Sequence, residues 1–352
     1  MLDYATRLTI RQEVATAFND GLTSVTTGAG ATTTIADTSR GEVTNYWVGA
    51  EALNIEPAHA DIGLSRRVTA STQNVSLTVS AFPNPTGNGT DYELFFNFSV
   101  AQYHNAIQYA VRRATGNHWI DWMWDGLVIV ANTYDYELPT GVGVDEQVIT
   151  ADAGSTTVLL RDAALTQAND YWNGARVVGL TGTAANRGIT RYASDFLAAT
   201  DDLSFAVAWP ATIAAADTFQ LTRFRPNYVH FVEYIPTGGT IAIGLADRNW
   251  EVYWRAGRPM IRFFAGAVPP LNSTVRIYGV RAPEPPTHDM HPVEVPQNYA
   301  IDLARWQILR SKPRRSDYQL DDVAALKREA YDAAMLSLSG ERRQRPQGGK
   351  KL

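Results

Sequence analysis

Two stretches of this chain repeat one alternation of apolar and polar positions. Val75–Ser80 reads VSLTVS and Leu203–Ala208 reads LSFAVA. Apolar residues at every second position are the signature of a half-buried strand. A longer likeness surrounds each. Aligned on GATT (Gly30–Thr33) and GSTT (Gly154–Thr157), the stretches stay in register for roughly 70 residues, and such self-similarity at a fixed offset is weighed before any other motif. Each opens with a Thr/Val-rich run, SVTTGAGATTTIAD or VITADAGSTTVLLRD. Each then carries Asx-Tyr-Trp-x-Gly-Ala, in TNYWVGAE (44–51) and NDYWNGAR (169–176). An alternating strand follows, AEALNI or ARVVGL; Arg66 then matches Arg191, Pro85 matches Pro210 and Asp91 matches Asp217. The copies close on YELFF and FQLTRF.

The pattern predicts a small β barrel or sandwich of five or six short strands per copy, punctuated by Gly, Asn and Asp. A module this small has little core, so a large aromatic side chain carries weight in it. Trp47 and Trp172 are read as core plugs, each indole N–H on a backbone carbonyl. Gly49 and Gly174 would allow a bulge or a close backbone approach. The competing reading makes each Trp a stacking platform for a sugar or a base. It is disfavoured because both sit inside strand-like runs.

The remaining chain has other periods. Thr9–Gln12 is a capping-box pattern followed by Ile10, Val14 and Phe18 at helical spacing; Ser99–Gln102 is another, followed by Tyr103, Ile107 and Val111, with Gly116 as a stop. Asp125–Gly141 reads as strand, turn and strand. Five short strands follow the second copy: Tyr228–Ile235, Thr240–Ile243, Trp250–Trp254, Pro259–Phe264 and Val275–Val280. If the strands before and after that copy pair, it too is an insertion. The proline-rich Ala282–Gln297 reads as a stiff connector. A helix over Asn298–Ser311 comes next, and a longer one after a third box, Ser316–Gln319. The expected fold is α+β, mainly β, a helical frame plus a β-sandwich unit, with two homologous barrel-like insertion modules. Its parts are a helical frame (1–21, 99–124), module 1 (22–98), a central sandwich (125–146, 225–282), module 2 (147–224), the connector (283–297), C-terminal helices (298–340) and a basic tail (341–352).

Composition changes this picture little. With 352 residues, 45% hydrophobic and 19% charged, the chain has the make-up of a folded protein of two or three domains. It has no cysteine, which removes disulfides and thiolate chemistry. No apolar run is long enough to cross a bilayer, and the first residues show no basic-then-apolar secretion pattern. Charge is uneven. From Arg305 onward 12 Lys/Arg face 6 Asp/Glu, so a total of −5 leaves −11 on residues 1–304. The tail residues Arg342, Arg343, Arg345, Lys350 and Lys351 read either as a solvated end or as an arm for an acidic neighbour or nucleic acid.

Candidate chemistry is sparse. There is no P-loop, dinucleotide fingerprint, GxSxG elbow or HExxH. His288-Asp289-Met290-His291 has a metal-like spacing but lacks a third partner, and is read as a connector with solvated histidines. His118–Asp125 (HWIDWMWD) holds Asp121 and Asp125 among tryptophans, a composition reminiscent of glycosidase clefts. It is read instead as a helix exit. The expectation is therefore a protein that is not an enzyme, with no catalytic, cofactor or metal residues.

NTYDYELPTG (Asn132–Gly141), VRIYGVRAP (Val275–Pro283), the helix VPQNYAIDLARWQILRSKP (Val295–Pro313) and the Gly/Arg/Lys-rich end together resemble the head–tail adaptor or neck proteins of tailed bacteriophages. This resemblance implies a ring of many copies, commonly twelve or six, between portal and tail. Double-stranded DNA would pass through it without sequence-specific contact. Expected partners are other copies, portal and tail or neck proteins, with no membrane and no small-molecule substrate; the place is the virion, assembled in the host cytoplasm. The alternatives are a carbohydrate-binding tail or cell-wall-associated β protein using Trp47 and Trp172, and a glycan hydrolase using Asp121 and Asp125.

Overall fold

The computed structural model describes residues 4–57, 59–141, 145–311, 313, 323–340 and 350–351. They form an α+β chain, mainly β, in two compact units: Met1–Ala114 with Glu284–Arg342, and Thr115–Pro283 with Arg343–Leu352.

The first unit opens with helix α1 (Arg7–Thr16). Its cap is Thr6, not the Thr9 that the sequence pattern marks; the Thr6 hydroxyl accepts from the Thr9 N–H at 3.2 Å. The connector explains the earlier start. The N–H groups of Arg7 and Leu8 donate to the carbonyls of His291 and Asp289, each at 3.0 Å. First-turn donors that would otherwise be orphaned are satisfied.

Strands β1 (Leu22–Val25), β2 (Thr34–Ala36), β3 (Glu51–Asn54), β4 (Ser65–Thr72), β5 (Ser76–Val79) and β6 (Asp91–Phe95) follow. They form one antiparallel sheet in the order β1-β6-β3-β4-β5-β2. Side chains from five of its strands and its loops, among them Ile35, Trp47, Val68, Leu77, Phe82 and Tyr92, share one core, so the sheet curls around its own interior. Helix α2 (Val100–Ala114) then begins at the predicted box. The Ser99 N–H donates to Gln102 Oε1 at 2.7 Å and the Gln102 N–H to Ser99 Oγ at 3.1 Å.

The buried Asp20 carboxylate secures the junction between β6 and α2. It accepts from the N–H groups of Phe96, Asn97 and Phe98 and from the Tyr103 hydroxyl, all within 2.6–2.9 Å. Helices α3 (Gln297–Arg310) and α4 (Val323–Gly340) complete the unit. Tyr103 and Ile107 of α2, Tyr299 and Leu303 of α3 and Leu338 of α4 pack with Leu53 and Phe95 of the module in one core. The third predicted box, Ser316–Gln319, lies outside the described residues.

The second unit corrects a boundary. The sequence reading extends the helical frame to residue 124, but α2 ends at Ala114 and strand β7 runs from Ile120 to Val128. Burial of Ile120, Trp122 and Trp124 alternates with exposure of Asp121 and Met123, so the tryptophans follow a strand period. After β8 (Asp135–Glu137) comes module 2: β9 (Glu146–Thr150), β10 (Leu159–Arg161), β11 (Arg176–Thr181), β12 (Thr190–Leu197), β13 (Asp202–Phe205) and β14 (Thr218–Thr222). Then follow β15 (Tyr228–Ile235), β16 (Ile243–Gly244), β17 (Trp250–Arg255), β18 (Arg258–Phe263), β19 (Thr274–Arg281) and β20 (Lys350–Lys351). One sheet orders β16-β15-β19-β7, with β20 also on β15; the other orders β17-β18-β8. Strand β7, before module 2, pairs with β19, after it.

The modules match strand for strand. Module 2 has the order β9-β14-β11-β12-β13-β10, that of module 1. Ala52 pairs with Arg66 and with Leu94, as Val177 pairs with Arg191 and with Leu221. Both carry a bulge at one place, Val68/Ala70 and Ala193/Asp195. The Arg66 guanidinium donates to the Ala81 and Ser65 carbonyls over Phe82, and that of Arg191 to the Ala208 and Thr190 carbonyls over Trp209. Three sequence pairings are corrected by this register. The N–H of Phe82 meets the Thr32 carbonyl as that of Trp209 meets Thr157, so GATT and GSTT align one residue off. Pro210 therefore corresponds to Pro83, not Pro85. Val25 faces Asp91 as Thr150 faces Thr218, so Asp217 does not correspond to Asp91.

Candidate functional site

The Asx-Tyr-Trp-x-Gly-Ala motif is a turn leading into β3 or β11, not part of a strand as the sequence suggests. Each residue type has a physical cause. Asn45 and Asp170 sit at φ of 66° and 64°, the left-handed region that Asn and Asp tolerate. Gly49 and Gly174 sit at 92° and 74°. The first residue's N–H anchors the turn, Asn45 on the Ser71 carbonyl at 2.7 Å and Asp170 on Phe196 at 2.9 Å. Gly49 donates to Val68 at 3.0 Å, Gly174 to Ala193 at 2.9 Å. Between these anchors the Trp drops inward with the Tyr ring edge-on to it, centroids 5.1 Å apart in both copies.

Trp172 is fully buried and Trp47 is 9% exposed, so neither offers a face to a sugar or base. The expected hydrogen bond to a backbone carbonyl is absent. The Trp172 indole donates to the Gln167 side-chain oxygen at 2.9 Å, whereas the buried Trp47 N–H makes no hydrogen bond among the described residues. Apolar packing, not the polar handle, is what the copies share.

The turns differ in what lies outside them. In module 2 the turn sits against β7. A Cβ on Gly174 would lie 2.9 Å from the Met123 carbonyl oxygen, and one on Gly126 would lie 2.6 Å from the Asp170 carbonyl oxygen. Arg223 stacks on Tyr171 at 3.9 Å and lies 5.5 Å from the Trp124 ring, and it pairs with Asp145 at 2.8 Å. Beside this contact is a cleft of about 480 Å³ lined by Trp124, Tyr136, Tyr171, Arg223 and Arg258. In module 1 Phe96 stands where module 2 has Arg223, its ring 5.9 Å from Tyr46, but no strand backbone is pressed on the turn glycine: a Cβ on Gly49 would meet nothing within 4 Å among the described residues, and Val43, Tyr46 and Val48 are 66%, 50% and 44% exposed. Sequence reading singled out the Trp and Gly of each copy and missed these neighbours. The substitution of Val48 for Asn173 at one turn position was the available signal.

Asp121 and Asp125 do not form a cleft pair. Asp121 is exposed, while burial raises the Asp125 carboxyl pKa against the pull of Arg276, with Asp170 and Asp195 adding to the rise. The connector histidines are not both solvated: His291 is buried and His288 half-buried. Asp289, Met290 and His291 are buried, because this segment lies along α1. Asp289 receives Arg11 at 2.6 Å and Arg7 at 2.8 Å, and the fully buried Arg11 also pairs with Glu93 at 2.8 Å. Arg11 donates to His104 Nε2 at 2.9 Å. An arginine cannot accept, so His104 is neutral with its proton on Nδ1. Burial holds its pKa down to about 3, with Arg7 and Arg11 adding to the depression. This cluster ties α1, β6, α2 and the connector together. Among the described residues no group of three or more His, Asp or Glu could hold a metal ion, and no helix is long and apolar enough to cross a membrane.

Of the basic tail, Arg342, Arg343 and Arg345 lie outside the described residues. The end is not simply solvated: Lys350 and Lys351 form β20 on β15. The Lys350 ammonium lies 4.1 Å from the centroid of the buried Trp250 ring and donates to the Trp250 carbonyl. A comparison with protein-family models finds no match, and a comparison with curated protein sequences finds none either.

Proposed function

We propose that this chain is a structural virion protein of a tailed phage, a ring component of the head–tail junction that links portal to tail and lets DNA pass. The observation that carries the reading is the distribution of exposed apolar side chains on its β surfaces. Val43, Tyr46 and Val48 stand out on module 1, and Phe231, Ile241 and Ile243 at the β15–β16 edge of the sandwich. Clusters of that kind mark surfaces that are covered on association. The buried polar groups support the same reading, since Asp20, Arg11, Glu93 and Asp289 are spent on fixing elements to one another. The acidic body suits a lumen through which DNA slides, because like charge opposes sticking. Particle-mass measurement with negative-stain imaging tests the reading: a closed ring of defined copy number is expected. A chain that stays monomeric at micromolar concentration overturns it.

A further inference from the structure

The five-stranded sheet of the sandwich has two outer strands in its main order, β7 and β16. The turn of module 2 lies against β7. No strand lies beyond β16 among the described residues, and on this side Ile241 is 78%, Ile243 44% and Phe231 40% exposed. Module 1 meanwhile presents the same turn with its own Phe96 beside Tyr46 and, among the described residues, nothing within 4 Å of a Cβ on Gly49. Among the described residues, one turn thus has no strand pressed on its glycine, and one sheet edge has no strand beyond it.

Resting on the ring reading above, we propose that the module 1 turn of one copy seats on the β16 edge of a second copy, as the module 2 turn seats on β7 within the chain. The residues at equivalent positions favour this. Val43 stands where module 2 has Ala168, and Val48 where it has Asn173. In module 2 the polar Asn173 is buried and donates to Asp170 at 3.0 Å. In module 1 the more apolar residue is the exposed one. That inverts the usual order and is relieved when the face is covered. Gly49 keeps open the space that in module 2 admits a strand backbone against Gly174. The β16 edge supplies apolar side chains to meet Val43, Tyr46 and Val48, and covering it also removes an open strand edge. Two different patches meeting head to tail give a heterologous contact, which closes into a ring when its rotation permits.

The chain has no cysteine, so the contact is read by placing single thiols. Val48→Cys chains mixed with Ile243→Cys chains are expected to give a mixed disulfide dimer under mild oxidation, with neither variant cross-linking appreciably alone. Val48→Asp is expected to raise the concentration needed for assembly at least tenfold with an unchanged circular-dichroism spectrum. Ile243→Asp, at the other side of the contact, should do the same and keeps the test open if Val48→Asp misfolds. A wild-type ring that persists unchanged in both Asp variants overturns this contact and leaves the ring reading standing. So does a chain carrying both thiols that closes the disulfide within itself. A wild-type chain that forms no oligomer overturns the ring reading itself.

Discussion

Gly49 and Gly174 occupy the same left-handed position of the same turn, but only Gly174 is pressed against another strand. A Cβ there would lie 2.9 Å from the Met123 carbonyl oxygen, while one on Gly49 would meet nothing within 4 Å. Gly49→Ala is therefore expected to cost only the left-handed strain, about 1 kcal/mol. Gly174→Ala adds the displacement of β7 and is expected to cost about 2–3 kcal/mol. Urea unfolding of the two variants checks the order. Equal losses would show that the turn of module 2 does not bear on β7.

The paired tryptophans give a second comparison. Both side chains fill the centre of a small curled sheet, so Trp47→Ala and Trp172→Ala are each expected to cost about 3–5 kcal/mol. Gln167→Ala, which removes only the acceptor of the Trp172 N–H, is expected to cost about 1 kcal/mol. Thermal melts monitored by tryptophan emission separate these outcomes. A Trp47→Ala variant as stable as wild type would contradict its role as a core plug.

Much of this architecture was legible in the sequence, and the reasons are local. The strands of both modules announce themselves through period 2. The Ser99–Gln102 box and the stripe Tyr103, Ile107, Val111 place α2 because cap and face agree. What sequence could not supply was tertiary. Thr9 has the composition of a cap, but carbonyls from residues nearly 300 positions away satisfy the first turn and let Thr6 take the role. The stretch from His118 to Asp125 lost its strand period among large aromatics, because Trp119 is buried out of phase with Trp122 and Trp124. His288–His291 looks solvated from its prolines, yet Arg7 and Arg11, ordinary helix residues by sequence, bury Asp289. At the turn, the motif named the buried Trp but not the difference between Val48 and Asn173.

His104 gives the fold a pH response. Its folded pKa, held down to about 3 by burial and by Arg7 and Arg11, lies below the usual histidine value of 6.5. Between these values the unfolded chain binds a proton that the folded chain refuses. Stability therefore falls as pH drops through that window, by at most about 1.4 kcal/mol per pH unit. His104→Gln, whose side-chain oxygen can still accept from Arg11, is expected to remove this contribution between pH of about 6.5 and 4.5 and to leave that of the carboxylates, which titrate in the lower part of the window. Urea midpoints at about pH 7 and pH 5 measure it. An identical slope in the variant would place the response elsewhere.

Lys350 joins the sandwich through its strand on β15, through the Asp247 and Trp250 carbonyls and through one aromatic ring. Its ammonium stands over Trp250, a ring 1% exposed, and burial lowers the lysine pKa. A partly desolvated cation over an indole contributes about 1 kcal/mol, and the two-residue strand adds backbone bonding to β15. Lys350→Ala is expected to lose the cation–π contact but keep the strand, costing the sandwich about 1 kcal/mol and altering the Trp250 contribution to emission. Lys350→Arg, which preserves charge and ring contact, is expected to retain most of that stability. If the arginine variant loses as much as the alanine variant, the contact is one of ammonium to the Asp247 and Trp250 carbonyls and not of cation to ring. If neither loses anything, the tail end contributes nothing to the sandwich and its cations are available to a partner.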